Sequence, residues 1–323
     1  MTLIDKNNEI NELIQNANSI FIMGHKYLDL DAIGSSIGIY EYVKSQGKSA
    51  TIVINDRTLE AGVKKVLDKI EGKYKINKSS KVKLKINKKS LLIIVDTNKE
   101  YLLQDPMLLD LFDNVIVMDH HDLKESSIDK GLVIVDEESS STCEMLTEFL
   151  DYNKINIDSE VATFLLSGIV LDTNNYVLKT TTNTFRASYL LSQQGADSNY
   201  VQYLLKQDLK KYIERQKVVT NVKILKNIAI SCAKSTLKYR REDLARIADT
   251  LMLFNKIEAS FVIAKLDKHT VGISARSIGN INVGEILEHF NGGGDNNEAG
   301  ARIENKSIKK VEEELKEILK TLA

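Results

Sequence analysis

Apolar residues in the first half of the chain fall into short unbroken runs separated by helical patterns. SIFIMGH (19–25), ATIVI (50–54), LLIIVD (91–96), NVIVMDHH (114–121) and LVIVD (132–136) are rich in β-branched residues and lack polar alternation. Strands read this way when both of their faces are buried. Helical periodicity occupies 31–46, 58–70 and 139–151 between them, so the pattern predicts an α/β fold built on a parallel sheet. From 155 to 218 the periodicity is helical, and SNYVQYLLKQDLKKYIERQKVV reads as a long amphipathic connector. Beyond it come the alternating strands NIAISCAK, ASFVIAKL and TVGISARS with helices between, then a glycine-rich loop and a charged helix near 308–322. The expected organisation is a catalytic domain over 1–195, a helical linker over 196–220 and a smaller α+β domain over 221–323.

A length of 323 residues suits two domains of about 100–200 residues each. Charge is balanced, 44 basic against 45 acidic residues, which argues against long nucleic acid as the main ligand. Cys143 and Cys232 stand far apart, without the spacing of a disulfide framework or a zinc knuckle, and suit a reducing compartment. No run reaches the roughly 18 apolar residues of a membrane span. The expected location is the cytoplasm, for a free protein or for the cytosolic module of a membrane-anchored one. Residues 63–89 hold eleven lysines. A phosphate-binding arm is conceivable there, but Asp68, Glu71 and several Asn and Ser interrupt the run and favour solvated surface.

Chemistry gathers at the C-terminal ends of the predicted strands, where open α/β sheets bind ligands. GHKYLDLDAIGSS (24–36) places His25, Asp29 and Asp31 at the end of the first strand. Two carboxylates and an imidazole suit manganese or magnesium. Helix capping by Asp29 or Asp31 explains the same residues equally well. Asp96 then ends another strand, MDHHD (118–122) ends a third, and Asp172 follows the apolar run LLSGIVL. Buried carboxylates need partners, and four segments presenting Asp or His at one rim point to a metal pair. Such pairs, about 3.5–4 Å apart, stabilise in-line phosphoryl displacement and activate a water. No Gly-x-Ser-x-Gly elbow or Walker loop offers a rival mechanism. Adjacent strand residues point to opposite faces, so one ion is not expected to be held by both His120 and His121. In HFNGGGDNNEAGA (289–301), Gly292, Gly293 and Gly294 let backbone approach a ligand, or else form a plain turn. Arg276 could grip a phosphate or form a surface ion pair.

These motifs together resemble the DHH-type phosphoesterases with a DHH-associated C-terminal domain. Within that family the words MGHKYLDLDAIGSSIGIY, SSSTCEMLTEFL, GIVLDTNNYVLKTTTNTFRAS and VGISARSIGNINV are similar to the catalytic module of GdpP-type cyclic-di-AMP phosphodiesterases. The resemblance implies a manganese-dependent hydrolase that opens cyclic di-AMP to linear pApA with a metal-activated water. An oligonucleotidase degrading pApA or short RNA to mononucleotides is the alternative. It implies two Mn²⁺, or Mg²⁺ or another divalent ion in their place. His25 and Asp29 would hold one, Asp31, His120 and Asp172 the other, and Asp96 would bridge them. Asp119 would orient this set, His121 would face the scissile phosphate, and Arg276 with Gly292, Gly293 and Gly294 would hold the nucleotide. A small nucleotide is thus the expected partner, and a homodimer is left open. The chain departs from the family at Leu28, where Pro is usual, at Asp295, where His is usual, and at Glu298, where a small residue is usual.

Overall fold

The β-branched runs form strands buried on both sides in a computed structural model of the chain, which describes residues 1–55, 59–123, 126–234 and 236–321. Residues 58 and 322, at the ends of two predicted helices, lie outside the described residues. The chain divides into two compact units, Met1–Lys206 and Gln207–Ala323.

The first unit holds β1 (Ser19–Met23), β2 (Ala50–Val53), β3 (Ile76–Asn77), β4 (Ser90–Val95), β5 (Asn114–Asp119) and β6 (Leu132–Val135). Their order is β3-β2-β1-β4-β5-β6, and every pairing is parallel. Alternate residues face opposite layers, as a pleat requires. Ile20, Ile22, Leu91, Ile93 and Ile116 join a core shared with the helices Leu30–Ser45, Thr142–Tyr152 and Ser159–Asp172. Phe21, Met23, Leu92, Ile94 and Val117 join a second core with Val82, Leu108 and Phe112. Each fully buried Ile, Leu or Phe contributes on the order of 1.5–3 kcal/mol relative to exposure. The strand order reverses between β1 and β4, and a crevice opens outside the carboxyl ends at such a point.

Helix Ser159–Asp172 packs closely on helix Leu30–Ser45 because Gly168 has no side chain. A Cβ there would lie 2.5 Å from Cys143 Sγ, 2.7 Å from Asp31 Oδ1 and 2.9 Å from Asp31 Cα. Gly168→Ala is therefore expected to force Asp31 and its helix outward at a cost of about 1–3 kcal/mol. A lower urea midpoint at unchanged m-value would report it, and a midpoint equal to wild type would contradict it.

The second unit holds β7 (Lys223–Leu225), β8 (Ile228–Cys232), β9 (Ala259–Lys265), β10 (Thr270–Ser277), β11 (Gly293–Gly294) and β12 (Glu298–Glu304). They order as β11-β12-β10-β9-β8-β7, antiparallel throughout except for the β8–β9 pair. Helix Arg241–Met252 makes the crossover of that parallel pair and covers one face through Leu244, Ile247 and Leu251. Helices Val283–Glu288 and Ile308–Thr321 cover the other. The sequence pattern shows β8, β9 and β10 but not β12, whose alternation rests on the small buried residues Ala299 and Ala301.

Glu312 ties the last helix to the sheet by accepting from Lys223 Nζ at 2.7 Å and from Lys316 Nζ at 2.6 Å. Burial works against its charge, but the two ammonium groups outweigh burial and hold the carboxyl down at about 2. A folded pKa below the ordinary 4.5 gives stability that is present above pH 4.5 and fades as pH falls toward 2. Glu312→Gln is expected to cost about 1 kcal/mol at pH 7, since both lysines are partly solvated. The gap between variant and wild type in urea denaturation should narrow at pH 3, and a pH-independent gap would refute the assignment.

Candidate metal centre

Each strand of the central pair ends in a residue of the cluster, and local backbone chemistry aims it. After β1, His25 Nδ1 donates to the Lys26 carbonyl at 2.7 Å, which leaves Nε2 facing inward, 3.3 Å from Asp96 Oδ2 and 3.5 Å from Asp29 Oδ2. Asp29 caps the next helix, its Oδ1 accepting from the Asp31 and Ala32 amides at 3.0 and 2.9 Å. Capping and clustering thus coexist, because Asp29 uses one oxygen for each. Asp31 lies fully buried in the first helical turn. Its two oxygens accept from the amides of Thr142 and Cys143, both at 2.8 Å. Those amides open another helix, whose N-terminal partial charge favours a carboxylate.

Asp96 follows β4 with a φ of 59°, in the left-handed region that a non-glycine residue occupies only at a cost of about 1 kcal/mol or more. This turn is held because the Asp96 amide still donates to Met118 at 2.9 Å and Thr142 Oγ1 reaches its Oδ1 at 3.3 Å. The carboxylate, 2% exposed, stands between His25 and His120, whose Nε2 is 3.5 Å from Oδ1. His120 Nε2 is also 3.2 Å from Asp172 Oδ2, on the last turn of its helix.

The two histidines do not part as alternation along a strand would have it. β5 stops at Asp119, so the pleat no longer sorts the side chains, and the two rings lie 4.2 Å apart. Buried Asp119 holds both, Oδ1 accepting from the His120 amide at 2.9 Å and from His121 Nδ1 at 2.8 Å. The His121 side chain is 54% exposed and that of His120 only 4%.

Six residues from four segments therefore converge. His25, Asp29 and Asp96 form one group, and Asp31, Asp96, His120 and Asp172 a second, with ligand atoms in each within 4.8 Å of one another. A third group of Asp96, His120 and His121 overlaps them. Asp96 is common to all three. Burial pushes the Asp31 carboxyl well above its usual range, and the nearby Asp96 and Asp172 add to that. Burial likewise raises Asp172, to about 6, although His120 opposes it. Among the described residues, the buried side-chain atoms lacking a hydrogen-bond partner are Asp119 Oδ2, His120 Nδ1 and His120 Nε2. Four carboxylates and two imidazoles at this spacing, one imidazole unsatisfied, fit hard divalent cations.

Two further side chains support the cluster. Asn98, fully buried, donates to the His121 carbonyl at 2.9 Å and accepts from Ser127 at 2.9 Å. Thr142 carries the amide and hydroxyl that meet Asp31 and Asp96. The sequence signal for the helix that Thr142 opens was Ser141 followed three residues later by Glu144, a capping pattern.

Arg276 and the glycines belong to the second unit. Arg276 Nε donates to Asp249 Oδ1 at 2.7 Å, and Nη2 lies 3.5 Å from Glu298 Oε2, so its guanidinium is already paired with two acids. Gly292 and Gly294 have a packing reason to be glycine: a Cβ would lie 2.5 Å from the Gly300 carbonyl and 2.1 Å from that of Glu298. Gly293 has open space where its Cβ would be.

Residues 19–169 match the N-terminal domain of the DHH family, and residues 225–323 match the DHHA1 domain. The cyclic-di-AMP phosphodiesterase GdpP of Geobacillus thermodenitrificans is 36% identical over 318 residues, 96% of this chain. The chain spans 48% of that relative's length. The bifunctional oligoribonuclease and PAP phosphatase NrnA of Mycoplasma genitalium is 27% identical over 304 residues, 91% of each chain. In fold, the chain is similar to an exopolyphosphatase-related protein from Bacteroides fragilis, with a TM-score of 0.81 over 98% of this chain and 96% of that one at 21% identity.

Proposed function

Because the chain belongs to the DHH family, with a DHHA1 domain behind the family's N-terminal domain, we propose that it is a phosphodiesterase opening cyclic di-AMP to linear pApA. The observation that carries this reading is the sharing of Asp96 between two ligand groups, the arrangement a bridged ion pair needs. His25 and Asp29 would hold one ion, and Asp31, His120 and Asp172 the other. Manganese suits this mixture of carboxylates and imidazoles. Bound there, a divalent pair would supply Lewis-acid charge to the phosphoryl oxygens and make a water acidic enough to attack. Asp119 fixes His121 Nδ1, so Nε2 is the atom His121 offers to the leaving oxygen as a proton donor. In the second unit, Arg276 would take the nucleotide phosphate by releasing Glu298, its longer contact, and Gly293 leaves room for the ligand.

A second reading rests on the NrnA relative, which matches this chain along 91% of its own length. An oligonucleotidase would release AMP from pApA. The test is a product time course on cyclic di-AMP and pApA side by side with Mn²⁺. Accumulating pApA is the result expected. AMP from pApA with cyclic di-AMP untouched favours the second reading, and no product from either substrate overturns both.

A further inference from the structure

The second face of the first sheet is covered by the connections β3–β4 and β4–β5, and their outer surface is unusual in two respects. It exposes large apolar side chains: Leu84 is 87% exposed and Met107 71%, with Leu111 and Tyr101 also standing out. It also carries the C-terminal half of the lysine run. Residues 78–89, the β3–β4 connection, hold six lysines and no acid, in a chain whose net charge is −1. The two features share one surface, since the short helix Ser79–Lys83 packs on the 3₁₀ turn Pro106–Leu111 and Lys83 Nζ lies 3.2 Å from Asp105.

Pairing does not consume this charge. Of the six, Lys83 reaches Asp105. Among the described residues, Lys78, Lys81, Lys85, Lys88 and Lys89 make no ion pair and are exposed. Glu100, Asp110 and Asp113 on the adjoining connection offset only part of it. Solvation alone explains lysines, but it does not explain a leucine standing almost wholly in water between Lys83 and Lys85. The packing beneath is complete without it, because Val82, Leu108 and Phe112 fill the core on this side.

We propose that this face docks on an anionic lipid surface. Lysines near such a surface contribute about 1 kcal/mol each, and Leu84 with Met107 would enter the interface between headgroups, as apolar residues of peripheral membrane segments do. Tyr101 suits the same depth. Single-stranded nucleic acid is the other polyanion, but it is gripped by stacked aromatics and arginines, and residues 63–89 contain no arginine.

Vesicle co-sedimentation of the full chain tests this, without added metal so that the outcome is independent of the metal centre. Vesicles of phosphatidylcholine alone are compared with vesicles holding 30% phosphatidylglycerol, at low and at high salt. Binding is expected only to the anionic vesicles, and to fall steeply with salt. Lys81→Gln with Lys85→Gln should weaken it about 25-fold, a factor of about five per lysine. Leu84→Ser should weaken it at unchanged charge, while Lys210→Gln with Lys211→Gln in the second unit should not. All these side chains are exposed, so melting temperatures should match. Equal binding to both vesicle types, no binding, or indifference to Leu84→Ser overturns the proposal. So does tighter capture of a single-stranded oligonucleotide that depends on Lys81 and Lys85.

Discussion

Asp96→Asn is expected to remove divalent-ion binding and turnover together while leaving the fold in place. Asparagine tolerates the left-handed backbone of this position, so the substitution tests the carboxylate charge and not the turn. Asp96 belongs to every ligand group of the cluster, and losing it strips both halves at once. Turnover should fall at least about 10³-fold, the scale of losing preorganised charge at the reacting phosphate. The readout independent of activity is thermal. In wild type, Mn²⁺ at 100 times its Kd adds about 2.7 kcal/mol, or about 5–10 °C in a unit of this size. In Asp96→Asn this rise should vanish. A variant that keeps the Mn²⁺-dependent rise would show that the ions do not depend on Asp96.

His120→Ala and His121→Ala are expected to fail in different ways. His120 is buried, its ring nitrogens lack hydrogen-bond partners, and its Nε2 lies between Asp96 and Asp172. Removing it should abolish most of the Mn²⁺-dependent rise in melting temperature. His121 is half-exposed with Nδ1 committed to Asp119. Removing it should leave that rise intact and lower kcat by about 10²–10⁴-fold, the range for a lost general acid. The overlapping group of Asp96, His120 and His121 defines the opposite outcome. Equal loss of the rise in both variants would make His121 a ligand and leave the leaving oxygen without this donor.

The parallel sheet was legible because runs such as SLLIIV and NVIVM carry a strong, local signal: both faces are buried and every residue shows it. The rim residues were legible for a related reason, since a polar group directly after such a run has one place to be. What stayed hidden depended on partners distant in sequence. Asn98 acts through a carbonyl 23 residues away, and Thr142 through a carboxylate 46 residues away, and neither shows a pattern by itself. β3 is two residues long, too short to alternate. β12 alternates, but with alanine as its buried residue, and the three glycines before it read as a loop when two of them are hairpin residues. The opposed orientation of His120 and His121 failed because strand geometry was extended two residues past the end of the strand.

The contact between Gly168 and Asp31 has a consequence for how this chain can vary. The carboxylate is oriented by one helix, packed against a glycine of a second and fastened by the amides of a third. The cluster thus has no layer of its own separating it from the hydrophobic core, and a substitution that improves packing there also resets ligand spacing. Inheritable change in activity has little room to enter from that side. It can enter at His121, whose half-exposed side chain can be exchanged without moving a helix.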